Sequence, residues 1–344
     1  MNDAADKNGM GRESAGNERH GKTMVEAINR ALREVMEEDE RVVVIGQDVG
    51  VDGGVFRVTD GLIDEFGSDR VIDSPLAESA IAGVSIGMAL NGLRPVAEMQ
   101  FSGFSYLAFA QVEGHAARLR WRSRGGLGVP MVVRMPYGAG VRALEHHSES
   151  REAFYGHVPG LKTVIPASPR RAHALLHAAI RDPDPVIFME PKALYRSFRE
   201  DLPEAPDEAE IGRARIVQQG EALTIIAWGA MLRPVLKAAA RLAEEAGEVA
   251  EVIDLETIAP IDAPAIADSV SRTGRLLIVT EAPLSYGPAG EVAMRAIEGA
   301  FFSLRAPICR VTGWDTHVPF FAREQSYLPS PQRIFDAARE LLKH

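Results

Sequence analysis

This 344-residue chain has a single cysteine, Cys309, and only 6% aromatic residues. One cysteine excludes an intramolecular disulfide and a metal site built from cysteines, and we expect Cys309 to pack as a small apolar side chain. No apolar run approaches the ~20 residues that span a bilayer, so the sequence does not indicate a membrane protein. The formal net charge of −10 leaves no excess of basic residues, which argues against a nucleic-acid binder.

Two further features carry less information than their residue types suggest. His173 and His177 lie four residues apart on a predicted helix, but the sequence places no acidic residue beside them, so we expect an exposed helix face rather than a metal site. A basic run with Trp121 contains Arg118, Arg120, Arg122 and Arg124. In so acidic a chain, this run indicates either a surface that meets an acidic protein or a solvated face.

Helical apolar stripes alternate with short apolar runs and predict an α/β fold with largely parallel sheets. A capping box at Thr23 and Glu26 opens the first helix. Later helices are predicted at about 77–90, 104–120 and 168–181. The predicted strands are 42–45, 94–99, 131–135, 161–165 and 186–189, and then 223–228, 249–255, 275–280 and 308–312.

The same reading divides the chain into four segments. Residues 1–21 are polar and mix acids with bases, unlike a signal or transit peptide, and predict a disordered tail on a cytoplasmic protein. Residues 22–196 form the first α/β domain. Residues 197–210 contain two prolines among many acids, which predicts a linker, and residues 211–344 form a second α/β domain.

The stretch from Asp73 to Gly87 is the most informative one. It places one carboxylate, Glu78, at the start of a helix that is otherwise built of small and apolar residues. Because an unpaired buried carboxylate is costly, Glu78 is expected to serve a ligand. Gly83 and Gly87 lie inside this helix, where glycine is unfavourable, so they predict close backbone packing against another element.

A second candidate site is the segment Glu145-His146-His147-Ser148-Glu149-Ser150, which follows a loop after a predicted strand. Loops after the carboxyl ends of parallel strands are where α/β proteins build their sites. The two adjacent histidines point in different directions, so we expect one of them to serve a site. Either it acts as an acid or base near neutral pH, or both are ordinary loop histidines.

These segments, in this order, resemble the β subunit of the E1 component of 2-oxo acid dehydrogenase complexes. The further segments that carry the resemblance are 92–98, 156–160 and 185–192, and the similarity runs from about residue 23 to the end. It implies a pyrimidine-binding domain for thiamine diphosphate, followed by a transketolase C-terminal-like domain. Within the family, residues 53–57 and 190–196 look most like the branched-chain (2-oxoisovalerate) members.

The resemblance also implies roles for single residues. Glu78 matches the family glutamate that hydrogen-bonds N1′ of the cofactor's aminopyrimidine. Phe104 falls where an aromatic ring stacks on that pyrimidine, which suits offset stacking, although Phe101 or Tyr106 are alternatives. His147 matches the histidine on the substrate side, and His146 is the second candidate there.

Departures from the family pattern lie near the expected site. Gln47 replaces an acid in a polar network near the cofactor, and Glu149 adds an acid after the histidine and serine. Some relatives bind potassium in this subunit, and Asp182 and Asp184 correspond to part of that region.

The resemblance implies partners as well. The chain lacks the Gly-Asp-Gly…Asn pattern that holds Mg²⁺ and the diphosphate, which lies on the separate α subunit in this family. The implied active form is an α2β2 heterotetramer with cofactors at the α–β interfaces, in which the helix at 79–90 is a candidate for close packing. Its partners would be the lipoyl and subunit-binding domains of the E2 acyltransferase, with E2 docking on the second domain.

The implied reaction is oxidative decarboxylation of a branched-chain 2-oxo acid with acyl transfer to a lipoyl group. Two alternatives stay open at this point. One is a pyruvate or acetoin dehydrogenase E1 β subunit, and the other is a non-catalytic assembly subunit, suggested by Gln47 and Glu149.

Overall fold

A computed structural model describes residues 20–344 of the chain. The predicted tail falls mainly on residues 1–19, which lie outside the described residues. Gly21 is already in contact with the rest of the protein, because its carbonyl accepts a hydrogen bond of 2.9 Å from Arg199. The capping box at Thr23 is present, with the Glu26 amide donating to the Thr23 hydroxyl and the Glu26 carboxylate accepting from the Thr23 amide.

The helices of the described chain are α1 (Met24–Glu38), α2 (Leu62–Phe66), α3 (Glu78–Leu90), α4 (Tyr106–Gln111), α5 (Ala117–Arg122), α6 (Glu152–Gly156), α7 (Pro169–Arg181), α8 (Leu232–Ala246), α9 (Ala263–Thr273), α10 (Pro288–Ala300), α11 (Glu324–Tyr327) and α12 (Pro331–Leu341). The helix predicted at 104–120 is therefore α4 and α5, joined by a π-helical turn at 112–116. No helix among residues 20–344 is long and apolar enough to cross a bilayer.

The strands are β1 (Val42–Gly46), β2 (Val71–Asp73), β3 (Arg94–Glu98), β4 (Val132–Tyr137), β5 (Lys162–Val164), β6 (Val186–Pro191), β7 (Arg215–Gln218), β8 (Thr224–Ala227), β9 (Glu251–Asp254), β10 (Thr257–Ala259), β11 (Leu276–Pro283) and β12 (Cys309–Gly313). They form two sheets, with the orders β10-β5-β6-β4-β3-β1-β2 and β12-β11-β8-β9-β7. Each sheet is parallel apart from one antiparallel edge strand, β10 in the first and β7 in the second. The prediction of an α/β fold with largely parallel sheets is confirmed.

The central strands are buried on both faces because helices cover each side. In the first sheet, Val44 and Val96 face the layer of α1 and α7, whereas Ile45 and Ala97 face the layer of α3 and α4. Cys309 packs against the apolar core as a half-buried side chain, and burial raises the pKa of its thiol.

The two halves of the chain are joined by more than a linker. Strand β10 comes from the second half yet pairs with β5 of the first sheet, and the Ile165 amide donates to the Glu256 carbonyl at 2.8 Å. Arg171 forms two hydrogen bonds with Glu256, at 2.6 and 2.9 Å. The second half of the chain is therefore attached to strand β5 and helix α7 of the first half.

One expectation about a helix face is wrong for this chain. His173 and His177 are buried on α7, and both ring Nε2 atoms lie within hydrogen-bond distance of Glu34 on α1, at 2.7 and 2.8 Å. The acidic partner lies far away in sequence, which is why the local pattern did not reveal it. Gly87 faces outward from α3, since a Cβ added there would meet no atom of residues 20–344 within 4 Å, and the expected close packing of this helix in a subunit interface stays a prediction.

Candidate active site

The predicted site residues gather at one edge of the first sheet. Strands β1, β2, β3, β4 and β6 are parallel, so their carboxyl ends share that edge. Gln47 directly follows β1, Glu78 starts the helix after β2, Phe104 follows β3 and His147 follows β4. This edge is where open α/β sheets build their ligand sites.

Glu78 is the first residue of α3 and is 6% exposed. Its Oε2 atom is buried and has no hydrogen-bond partner within the described chain. A buried carboxylate oxygen without a hydrogen-bond partner costs free energy, which indicates that this oxygen binds a ligand. The start of a helix also favours negative charge there. A protonated or amino-bearing heterocycle would satisfy this oxygen.

Aromatic rings surround the two histidines. The His147 ring centroid lies 4.2 Å from that of Phe101 and 5.3 Å from that of Phe104, in edge-on arrangements. The Phe104 ring also lies 5.3 Å from His146. The structure therefore brings Phe104, His146 and His147 into one cluster, with Phe101 as an additional member. Phe56 extends it, 5.5 Å from Phe101.

His147 is a half-buried histidine whose Nδ1 is buried without a hydrogen-bond partner in the described chain. Burial lowers the pKa of His147, and the charges of His146 and Lys192 act in the same direction. The ring is therefore neutral at pH 7, with a nitrogen available to accept or donate a proton. This is the state that a general base needs.

Lys192 was not predicted as a site residue, although it immediately follows strand β6. Its Nζ donates to the Gly138 carbonyl at 2.7 Å and to the His147 carbonyl, which fixes the histidine loop to the sheet edge. The side chain is buried, and burial lowers the pKa of Lys192 to about 8. Its position at a strand end could have marked it as a site residue. Its contacts with the histidine loop could not be predicted locally, because they join residues 45 and 54 positions apart in the sequence.

The second half of the chain supports the same loop. The Ala139 amide donates to the Glu281 carboxylate at 2.8 Å, and the Arg142 amide donates to Glu324 at 3.0 Å. Burial raises the pKa of Glu281 to about 7. Residues from β11 and α11 therefore fix the start of the loop that carries the histidines, a dependence that sequence reasoning missed.

A buried ion network lies beneath the cluster. Arg134 on β4 donates two hydrogen bonds of 2.8 Å to Glu190 on β6 and a third to Glu98 on β3. The Tyr195 hydroxyl donates to Glu190 at 2.6 Å. Burial raises the pKa of Glu98, while the Arg134 charge opposes that change. The network ties three central strands together directly below the site edge.

The two departures from the family pattern have different surroundings. Glu149 forms a salt bridge with Arg151, so its extra charge is neutralised by a neighbour. Its carbonyl accepts from the Gly138 amide at 3.1 Å and so helps to hold the loop. Gln47 lies at the site edge as a half-buried residue, and its neighbour Asp48 accepts from Gln100 at 2.9 Å.

Asp182 and Asp184 lie at the opposite edge, before the start of β6. The Asp182 carboxylate accepts from Lys162 Nζ at 2.7 and 2.8 Å, and Asp184 is paired with Arg120. Basic side chains therefore already neutralise both acids, which weakens the case for potassium there. The potassium site stays a prediction.

One sequence spacing resembles the motif of another enzyme class and is excluded by its position. Gly83–Gly87 has the Gly-x-Ser-x-Gly spacing of a nucleophile elbow, but it lies inside α3, where the Ser85 hydroxyl donates to the Ile81 carbonyl at 2.7 Å.

Comparisons with known families agree with this arrangement. The family model for the transketolase pyrimidine-binding domain matches residues 20–197, and the model for the transketolase C-terminal domain matches residues 212–334. A solved structure described as a split-gene transketolase, inactive beta4 tetramer, superposes with a TM-score of 0.73 at 23% identity, covering 94% of this chain and 99% of its own. At that identity the likeness concerns the fold alone.

Curated relatives are much more similar in sequence. The chain is 50% identical to the pyruvate dehydrogenase E1 component subunit beta of Acholeplasma laidlawii and 47% identical to that of Bacillus subtilis, covering 93% of this chain and 98% of each relative. It is 45% identical to the 3-methyl-2-oxobutanoate dehydrogenase subunit beta of Mycobacterium tuberculosis, covering 93% of this chain and 92% of that relative. The relatives' names therefore include two different 2-oxo acid substrates.

Proposed function

Because this chain belongs to the β subunits of the E1 component of 2-oxo acid dehydrogenases, we propose that it forms one side of a thiamine-diphosphate site and is active only with an α subunit. The observation that carries the proposal is the buried, unpartnered Oε2 of Glu78 at the carboxyl edge of the first sheet. When bound, thiamine diphosphate supplies the carbanion-stabilising chemistry that decarboxylation of a 2-oxo acid requires. Mg²⁺ and the diphosphate would be held by the α subunit.

Three residues of this chain have distinct roles in the proposal. Glu78 would hold N1′ of the aminopyrimidine by a hydrogen bond from its Oε2, which has no partner among the described residues. Phe104 contributes an aromatic face to the pyrimidine, next to the histidines. His147 is neutral because burial lowers its pKa, so its imidazole can accept or donate a proton on the substrate side. Gln47 contributes a neutral polar group at the same edge, and His146 is the second candidate beside the substrate.

Branched-chain 2-oxo acids are the proposed substrates. The two segments that resemble branched-chain members, 53–57 and 190–196, contact each other, since the Phe56 ring lies 5.1 Å from Tyr195 and its carbonyl accepts from Arg196 at 2.7 Å. Phe56 also contacts Phe101, which contacts His147. The rings of Phe56, Phe101 and Tyr195, here called the substrate wall, form an apolar surface that suits an aliphatic substrate side chain. Pyruvate is the second candidate, favoured by the names of the relatives that are 50% and 47% identical.

The test is co-expression with the neighbouring α-type gene product. Decarboxylation of pyruvate, 2-oxobutanoate, 2-oxoisovalerate and acetoin is then compared, with thiamine diphosphate and Mg²⁺ present. We expect activity only with both chains and a preference for 2-oxoisovalerate. Each extra methylene in an apolar pocket is worth about 10–200-fold in kcat/KM. A preference for pyruvate would overturn the branched-chain assignment, and a stable complex with no activity on any substrate would favour the assembly-subunit alternative.

Transfer of the acyl group to a lipoyl domain of E2 follows from the same assignment. A complex that decarboxylates in the presence of an artificial electron acceptor, yet fails to acylate a lipoyl domain, would contradict that part of the proposal. The cytoplasmic location stays a prediction from the sequence.

A further inference from the structure

A cluster of one glutamate and two histidines joins helices α1 and α7, away from the candidate active site. Glu34 lies on α1, and His173 and His177 lie one turn apart on α7, so both rings face the same way. Their Nε2 atoms lie 2.7 and 2.8 Å from the same oxygen, Glu34 Oε2. The histidine side chains are 1% and 2% exposed, whereas the glutamate is 22% exposed.

Two buried imidazoles that converge on one carboxylate oxygen are more than the packing of two helices requires. The two Nε2 atoms and the Glu34 oxygen all lie within 4.8 Å of one another, so one ion could bind all three. Two histidine nitrogens and one carboxylate oxygen, with a fourth position left to water, are a common ligand set for zinc.

We propose that Glu34 Oε2, His173 Nε2 and His177 Nε2 bind one divalent transition-metal ion, for which Zn²⁺ is the best match. In a tetrahedral zinc site the ligand atoms lie about 3.3 Å apart, which follows from bond lengths of about 2.0–2.1 Å. The glutamate oxygen must therefore withdraw by about half an ångström from the two nitrogens. Glu34 is partly exposed, which leaves its carboxylate free to make that shift.

The surroundings support such a site and also limit its affinity. Arg30 donates to the other carboxylate oxygen, Glu34 Oε1, at 2.6 Å, and thereby orients the carboxylate as an outer partner of a metal ligand does. The same guanidinium donates to the carbonyls of Pro203 and Glu204, both at 2.9 Å. Its positive charge opposes a cation, so we expect weaker binding than at a site without a nearby arginine.

Solvent can reach the cluster from one side. His177 lines a surface cavity of about 720 Å³ together with Arg171, Arg181, Asp207 and Glu210. Glu34 is the member of the cluster that solvent reaches, since its side chain is 22% exposed, and a water molecule on that side would provide the fourth ligand. The bound ion would join α1 to α7 and, through Arg30, stabilise the segment at 203–204. The proposed metal site is independent of the proposed function.

The experiment uses the full-length chain without a histidine tag, incubated with Zn²⁺ and then dialysed. Metal content is measured by mass spectrometry, and Tm is measured before and after addition of a chelator. We expect one zinc per chain and a higher Tm that the chelator reverses. The variants Glu34→Gln and His177→Gln should lose the zinc, whereas the matched control His115→Gln, at an exposed histidine, should keep it.

Failure of the wild-type chain to retain stoichiometric zinc, or zinc retention unchanged in both site variants, would overturn the proposal. If the site variants do not fold, X-ray absorption of the zinc-loaded wild-type chain decides. Two imidazole ligands would support the site, and fewer than two would overturn it.

Discussion

Replacing Lys192 by Met should reduce catalysis while the protein remains folded. Lys192 Nζ donates to the carbonyls of Gly138 and His147, and it is buried between them. Hydrogen bonds of a charged donor each contribute about 1.5–3 kcal/mol. Against that, the fall of the Lys192 pKa from 10.5 to about 8 corresponds to roughly 3 kcal/mol that the folded state loses by burying the charge. The net contribution of the side chain is therefore about 0–3 kcal/mol.

We therefore expect Lys192→Met to lower the free energy of unfolding by up to about 3 kcal/mol, because the burial cost of the charge is removed but the Gly138 and His147 carbonyls lose their donor. The His147 loop, however, loses its attachment to the sheet edge. The expected result is a fall in kcat of at least about tenfold, since small displacements of a catalytic group are costly. Both quantities are measured on the α–β complex, by urea denaturation and by 2-oxo acid decarboxylation.

The pH profile separates this role from a purely structural one. Burial is the main cause of the lowered pKa of His147, and the charge of Lys192 lowers it further. Removing the charge raises the His147 pKa. The acid limb of the pH–activity profile, where His147 becomes protonated, should therefore move to higher pH in Lys192→Met. The variant Lys192→Arg, which keeps a charge, should keep the acid limb close to that of the wild type. An unchanged acid limb in Lys192→Met, or unchanged kcat, would refute the reasoning.

Three further outcomes are expected. Arg134→Met leaves the buried Glu98 and Glu190 without their cation and should lower the free energy of unfolding, measured by urea denaturation, by about 3–5 kcal/mol. A triple variant that also changes both acids to Gln should recover most of that loss, and equal stability of the two variants would contradict this account. Gly103→Ala places a Cβ 1.9 Å from the His146 carbonyl, so decarboxylation by the α–β complex should fall severely. Gly87→Ala lies inside α3, where the added Cβ meets no atom of the described chain within 4 Å, so it should raise the free energy of unfolding of the isolated chain by about 0.5–1 kcal/mol. Phe56→Ala should reduce the preference for 2-oxoisovalerate over pyruvate, as measured by the ratio of kcat/KM values, and an unchanged ratio would remove Phe56 from the substrate wall.

Local patterns predicted the central strands and the longer helices, because burial of these elements against the core leaves runs or periodic stripes of apolar residues in the sequence. They did not predict β2, β7 and β10, which are three or four residues long and lie at sheet edges. Strand β10 pairs with β5 across more than 90 residues of sequence, and no local signal marks such a contact.

The candidate site shows the same division. Glu78 and His147 stood out because a polar side chain after an apolar strand is unusual, and both occupy the expected edge of the sheet. Lys192, Glu281 and Arg134 did not stand out, since their importance lies in contacts with distant segments. The buried Glu34–His173–His177 cluster was misjudged for that reason, with its members 139 and 143 residues apart.

The measurement that tests the central claim most directly compares wild type with Glu78→Gln in the purified α–β complex. Thiamine diphosphate binding and 2-oxo acid decarboxylation are both measured, and Ser79→Ala is the neighbouring control. The account predicts that Glu78→Gln lowers kcat by about 10²-fold or more, because proton sharing at N1′ is lost while the folded complex persists. Full decarboxylation by the Glu78→Gln complex would contradict the assignment of Glu78 and with it the proposed site.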